Sequence, residues 1–204
     1  MTETPAQGSP LGREARWKAM AASVSRAATG RGLNSDEVGL LGRAHALAME
    51  PRIEALDDDH HPAYLHPGRT VLVLLHDVGT VPLDALCAAV LHESEDDGLR
   101  VKGDAVRGTL GDAVADLVDA LPLPGDERLL ERLVTLDEGA LLAALAERLD
   151  QLRHAHLRED RDWWRAIHEE AGSVWVPLAE RTHPRLADRY RHWQRTFGRR
   201  LERD

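Results

Sequence analysis

The chain has 204 residues, 43% of them hydrophobic, with a formal net charge of −9. This length and apolar content suit a single domain with a real core and exclude wholesale disorder. The negative charge argues against nonspecific binding to nucleic acid or an anionic membrane, and no apolar run is long enough to span a bilayer.

The N-terminus lacks the charged-then-apolar layout of a signal peptide. The single cysteine, Cys87, lies in an apolar run, rules out an internal disulfide and fits the core of a cytoplasmic protein. Lys18 and Lys102 are the only lysines, so an anionic substrate requires a local arginine cluster.

Met1 to Gly12 is small and polar and reads as a disordered tail, leaving 13–204 as one helical domain. Trp17, Met20, Ala21 and Val24 recur at helical spacing from Arg13 to Ala28, and Thr29-Gly30-Arg31-Gly32 ends that helix. Asn34-Ser35-Asp36-Glu37 reads as an N-cap with acidic first-turn residues, opening a helix to about Met49. Pro51 to Pro67 is irregular. Arg69 to His76 is apolar and suits strand or helix; helix is preferred because no other stretch offers a strand partner. Asp77-Val78-Gly79 breaks it, and Pro82 suits the first turn of the next helix.

That next stretch, Leu83 to Asp97 (LDALCAAVLHESEDD), starts as an apolar helix and ends in His92, Glu93, Glu95, Asp96 and Asp97. A helix C-terminus disfavours anions, so something positive should compensate; a divalent cation is the simplest candidate. Val101 to Leu121 reads as two short helices split near Gly108 or Gly111, and Pro122 to Gly125 as a turn. Asp126 to Thr135 is a helix, and Leu136-Asp137-Glu138 opens another that runs to His156 or beyond. Arg161 to Ala171, Trp175 to Thr182 and a helix opened by His183-Pro184 complete the chain. No strand alternation appears, so the expected class is an all-α multi-helix globule.

Histidine and carboxylate without cysteine suit Mn, Fe, Ni or Zn. His66 and Glu147 are candidate partners for His92 and Glu93. Glu147 follows an almost wholly apolar run, where a carboxylate needs a cation or several hydrogen bonds. The plainer readings are a salt bridge from Glu147 to Arg148, Arg153 or a distant arginine, a loop histidine at His66, and a solvated helix end at 93–97.

In order along the chain, PAYLHP, VPLDALCAAVLHESEDD, LGDAVADLVDALPLP, ALAERLDQLRHA and WVPLAERTHPRLADRY resemble the blocks of the HD-type hydrolase domain of RelA/SpoT-like proteins, including small standalone alarmone hydrolases. The resemblance covers about Leu40 to Arg191. It implies an HD-domain fold and hydrolysis of a guanosine polyphosphate-like nucleotide with one divalent metal, usually Mn. Carried over position by position, the metal ligands are His66, His92, Glu93 and Glu147. Asp96 and Asp97, with Glu95 nearby, handle the attacking water, and Arg52, Arg148, Gln151 and Arg153 contact the substrate.

The chain departs from the family pattern at several of these positions. Both metal aspartates are glutamate here, and the catalytic Glu-Asp pair is Asp-Asp. Asp150 and Gln151 stand where the family has His and Asn. The basic approach to the His-Pro loop is replaced by an acidic segment, Ala55 to His61. His76-Asp77-Val78-Gly79 mimics a literal His-Asp-x-Gly motif; a rival ligand set built on it uses His60 or His61, His76, Asp77 and Asp150.

Three functions follow: a metal-dependent phosphohydrolase, a degenerate relative that binds a nucleotide or partner without hydrolysis, and a scaffold that self-associates through Trp163, Trp164, Trp175 and Trp193. Homo-oligomerisation stays open on sequence grounds; a membrane or nucleic-acid partner is not expected.

Overall fold

The computed structural model describes residues 10–55, 63–94, 96–123 and 128–202. Its helices are α1 (Pro10–Gly30), α2 (Ser35–Ala55), α3 (His66–Val73), α4 (Leu83–Leu91), α5 (Gly103–Leu110), α6 (Asp112–Ala120), α7 (Leu129–Leu133), α8 (Glu138–His154), α9 (Arg161–Glu170), α10 (Val176–Thr182) and α11 (Pro184–Glu202). Wider π-type turns, Leu74–Val78 and Ala171–Trp175, extend α3 and join α9 to α10. No strand occurs among the described residues, so the all-α class expected from the sequence is the one observed.

Local chemistry explains most boundaries. The Asn34 side chain accepts from the backbone N–H of Asp36 and Glu37, while Glu37 accepts from the Asn34 N–H, a reciprocal capping box. Asp137 caps α8 by accepting from Ala140 N–H at 2.8 Å. Gly32 takes φ 92°, and Leu33 N–H bonds back to Ala28, closing α1. Gly111, at φ 90°, divides α5 from α6, one of the two split points expected.

Several boundaries differ from the sequence reading. α1 already begins at Pro10, with Gly12 and Arg13 buried, so the expected tail is three residues too long at its inner end; 1–9 lie outside the described residues. α2 continues through Pro51 to Ala55, six residues past Met49. α3 starts at His66, with Pro67 in its first turn, where the missing N–H costs nothing. α7 covers only Leu129–Leu133 of the helix expected over 126–135. The turn expected at 122–125 falls partly outside the described residues.

Two helices form the centre. In α4 every residue from Ala85 to Leu91 is buried, the mark of a helix surrounded by others. It packs against α2, α3, α6 and α8. α8 is buried nearly as completely and contacts α3, α4, α10 and α11. Alanines on both (Ala85, Ala88, Ala89; Ala143, Ala144, Ala146) keep the packing faces narrow. A third close approach sets α3: a Cβ on Gly68 would stand 2.2 Å from Met20 Cγ and 3.1 Å from His45 Nε2. Any side chain two residues after His66 would have to push Met20 aside, so glycine suits the position and the α1–α2–α3 junction sets where that histidine stands.

The C-terminal layer closes the other side. α11 lies on α8, α9 and α10. Its Tyr190 hydroxyl donates to the Leu145 carbonyl at 2.7 Å, and Trp193 Nε1 donates to the Leu152 carbonyl at 2.6 Å. Trp164, Trp175 and Trp193 are buried in this layer, so they serve the core and are not available as a self-association surface.

Candidate active site

α4 delivers its C-terminus to the middle of the molecule and stops at Leu91. His92 is the C-cap, with extended backbone (φ −67°, ψ 123°). No glycine or proline ends the helix there; tertiary bonds do. Arg100 Nε donates to the Glu93 carbonyl at 2.7 Å and its Nη2 to the Ser94 carbonyl at 3.1 Å. A guanidinium thus holds the two carbonyls that follow the end of α4. His92 and Glu93 consequently leave the helix, and the 100° separation of helical neighbours does not apply to them.

The carboxylate of Glu93 is taken up by Arg52. Arg52 is 1% exposed, and its Nη2 reaches Glu93 Oε2 at 2.5 Å. Its Nη1 donates to the carbonyls of Ala48 and Leu99. The other oxygen of Glu93 accepts from Asp96 N–H at 3.2 Å. Burial pulls the Arg52 pKa down, and Glu93 opposes that. Part of the positive charge that the acidic stretch calls for is therefore supplied from within the chain.

Glu147, 2% exposed on α8, takes its short hydrogen bonds from neutral donors. It accepts from Ser94 Oγ at 2.6 Å and from Gln151 Nε2 at 2.5 Å. Its Oε1 also faces His66 Nε2 at 3.7 Å. Burial works against its charge, but His66 and His92 outweigh that and hold its pKa below the usual range.

His66 is anchored on its opposite edge. Nδ1 lies 2.8 Å from Asp150 Oδ2, and Arg69 Nε donates to both oxygens of Asp150 at 3.0 and 3.1 Å. Nε2 is buried and makes no hydrogen bond. Burial alone would lower the His66 pKa; Asp150 and Glu147 reverse this and raise it to about 10. The Asp150 carboxyl, despite its own burial, is held down to about 2 by His66 and Arg69. His92 is also buried; desolvation lowers its pKa against the pull of Glu147 and Glu93.

This is the arrangement by which proteins orient a ligating imidazole: a carboxylate on one nitrogen leaves the other facing the site. Two donors bound to one ion at about 2.1 Å stand about 3–3.6 Å apart, close to the separation of His66 Nε2 and Glu147 Oε1. A separate void of 10 Å³ is bordered by His92, Ser94, Leu129, Glu147 and Trp175 and does not reach His66. His66 Nε2 and Glu147 Oε1 thus stand at a separation that one shared cation would span, whereas Glu93 presents its oxygens to Arg52 and Asp96 N–H instead. Among the described residues, no group of three or more His, Cys, Asp or Glu is arranged to hold a metal ion.

Outside this cluster lies a cleft of 740 Å³ bordered by Ser94, Asp96, Asp97, Arg100, Arg148, Arg158 and Trp163. Asp96 accepts from Gly98 N–H, and Asp97 pairs with Arg100. Arg148 bonds Gln151 and Glu170, and Glu170 also accepts from Trp175 Nε1 at 2.6 Å. Arg158 lies 4.6 Å from the Trp163 ring centre.

Of the expected site residues, His66, His92, Glu93, Glu147, Arg52, Arg148 and Gln151 converge on this region, and Asp96 and Asp97 sit on the cleft wall. Glu95 lies outside the described residues. Arg153 borders different pockets, away from the cleft. The rival His-Asp set does not assemble: His76 is exposed and Asp77 is held by Arg189 at 2.9 and 3.1 Å. His60 and His61 lie outside the described residues. Sequence reasoning missed Ser94, Arg69 and Arg100, and gave Asp150 no part in orienting His66.

No protein-family model matches this chain, and no curated protein matches it.

Proposed function

We propose that this chain is a metal-dependent phosphohydrolase acting on a nucleotide polyphosphate, with guanosine polyphosphates the substrate class implied by its sequence resemblance. The observation that carries the reading is His66: a buried Nε2 with no hydrogen-bond partner, 3.7 Å from a buried carboxylate, on a ring held from behind by Asp150. His66 and Glu147 would hold one divalent cation, Mn in the resembled family, with His92 joining after side-chain rearrangement and Glu93 after release by Arg52. Such an ion supplies a water of lowered pKa and neutralises phosphate charge.

The chain's own groups do the rest. The cleft is large enough for a nucleotide, and Arg100, Arg148 and Arg158 on its wall, now paired with Asp97, Glu170 and Asp160, would turn their guanidiniums to its phosphates. Asp96 and Asp97 on its wall would orient the attacking water and accept its proton. The test is release of phosphate or pyrophosphate from a nucleotide panel that includes guanosine tetraphosphate, with Mn²⁺ present. Turnover is expected to fall at least about 100-fold in His66→Ala and Glu147→Gln. Absence of turnover with every nucleotide would reject hydrolysis.

The Arg52–Glu93 pair favours a second reading, in which the chain binds nucleotide without hydrolysing it. A buried guanidinium on the second carboxylate supplies charge that a metal would otherwise provide. Nucleotide binding that persists with chelator present and yields no product would select this reading.

A further inference from the structure

On the far side of α8 from the cleft, its last turn and the end of α11 enclose a second pocket, of 470 Å³. Its wall carries Arg153, His156, Arg199 and Arg200, with Trp193 and Phe197 behind them and no carboxylate. Arg153 leaves α8 about 120° around the axis from Glu147, so the two side chains serve different surfaces.

This basic wall stands in an acidic protein. Several exposed arginines elsewhere hold carboxylates: Arg107 holds Asp112 and Asp116, Arg165 holds Asp162, and Arg191, on α11 itself, holds Glu180 and Asp188. Arg153, Arg199 and Arg200 hold none among the described residues. Arg200 instead lies 5.2 Å from the Trp164 ring centre. Each lies in the last turn of its helix, where a cation is favoured by the helix dipole. That preference accounts for basic residues at each terminus separately. It does not account for cations from two helices meeting around one pocket without a counter-charge, an arrangement opposed by their mutual repulsion.

The aromatic floor is rigid. Trp193 and Phe197 stack with centroids 4.7 Å apart at 18°, and Trp193 is pinned through Nε1 to the Leu152 carbonyl. The floor is therefore fixed, and the planar forks of the arginines above it match the oxygens of a phosphate.

We propose that this pocket is a binding site for a small polyvalent anion of the phosphate class, separate from the His66–Glu147 cluster. The probe is inorganic triphosphate, titrated calorimetrically into the full chain at low ionic strength with chelator present. A saturable site is expected that Arg153→Ala and Arg199→Ala/Arg200→Ala each weaken about tenfold or more. Glu147→Gln and the distant Arg165→Ala are expected to leave it unchanged. The four basic side chains are exposed, so these variants should fold, which circular dichroism checks. A triple Arg→Lys variant at 153, 199 and 200 keeps the charge but loses the fork, and is expected to bind more weakly than the parent. Absence of saturable binding, equal loss in Arg165→Ala, loss in Glu147→Gln, or full affinity in the triple lysine variant would each overturn the site.

Discussion

Asp150 ties the candidate site to the particular chemistry of this chain. It is 1% exposed and bonds both His66 and Arg69, so it fixes the ring and is itself neutralised. Asp150→Asn would keep an oxygen for His66 Nδ1 but lose the charge, and a cation at Nε2 is expected to bind about 10–100-fold more weakly. Calorimetric titration of Mn²⁺ into parent and variant measures this, with thermal unfolding as the control for fold. Arg52 makes the complementary case. Arg52→Ala leaves Glu93 buried without its partner and is expected to cost about 3–5 kcal/mol in urea unfolding. Arg52→Met paired with Glu93→Met removes both charges and is expected to recover most of that loss. None of these partnerships was legible in the sequence: His66 and Asp150 lie 84 positions apart, and nothing in either flank marks the bond. Glu147 was legible as an anomaly, because a carboxylate inside an apolar run demands partners wherever it folds.

The helices were legible where local chemistry decides them and illegible where tertiary bonds do. The capping box at Asn34, the cap at Asp137 and the break at Gly111 are short-range features, visible in a few residues. The end of α4 is not: LDALCAAVLHE continues a helical pattern, and Arg100 and Arg52 draw its last residues off the axis. Pro51 and His66-Pro67 misled in opposite directions, because proline was read as punctuation in both places while α2 passes through one and α3 begins at the other.

The α1–α2–α3 junction carries its own test. His45 is buried with neither ring nitrogen bonded, and burial, assisted by Arg52, lowers its pKa to about 4. The unfolded chain takes up this proton as pH falls through about 6.5, while the folded chain resists until about 4. Stability should therefore decline across that window, by up to about 3 kcal/mol from this group alone. His45→Leu is expected to flatten the decline in urea titrations at pH 7, 5.5 and 4.5. At the same junction, Gly68→Ala forces Met20 aside and should cost about 1–3 kcal/mol.

At the scale of the whole molecule, a central pair of helices, α4 and α8, carries the cluster, and α11 seals the layer beneath it. Tyr190, Trp193 and Phe197 are all buried by that seal. Removal of 184–204 would delete them and expose the α8 surface they cover. The truncated chain is expected to lose its cooperative thermal transition, which far-ultraviolet circular dichroism followed against temperature would show as a gradual loss of helix signal in place of a sharp one. The all-α class was legible at this scale because it follows from the absence of strand alternation across the chain. The packing of α11 over α8 was not, since amphipathicity says that a face is covered without saying by what.

The most direct measurement is elemental analysis of protein purified in the presence of Mn²⁺, beside His66→Ala and Glu147→Gln. One divalent ion per chain, lost in both variants while both remain folded, is the expected result. Metal-free parent protein, or metal retained at the same stoichiometry in His66→Ala, would contradict the assignment of His66 and Glu147 as the centre of the site.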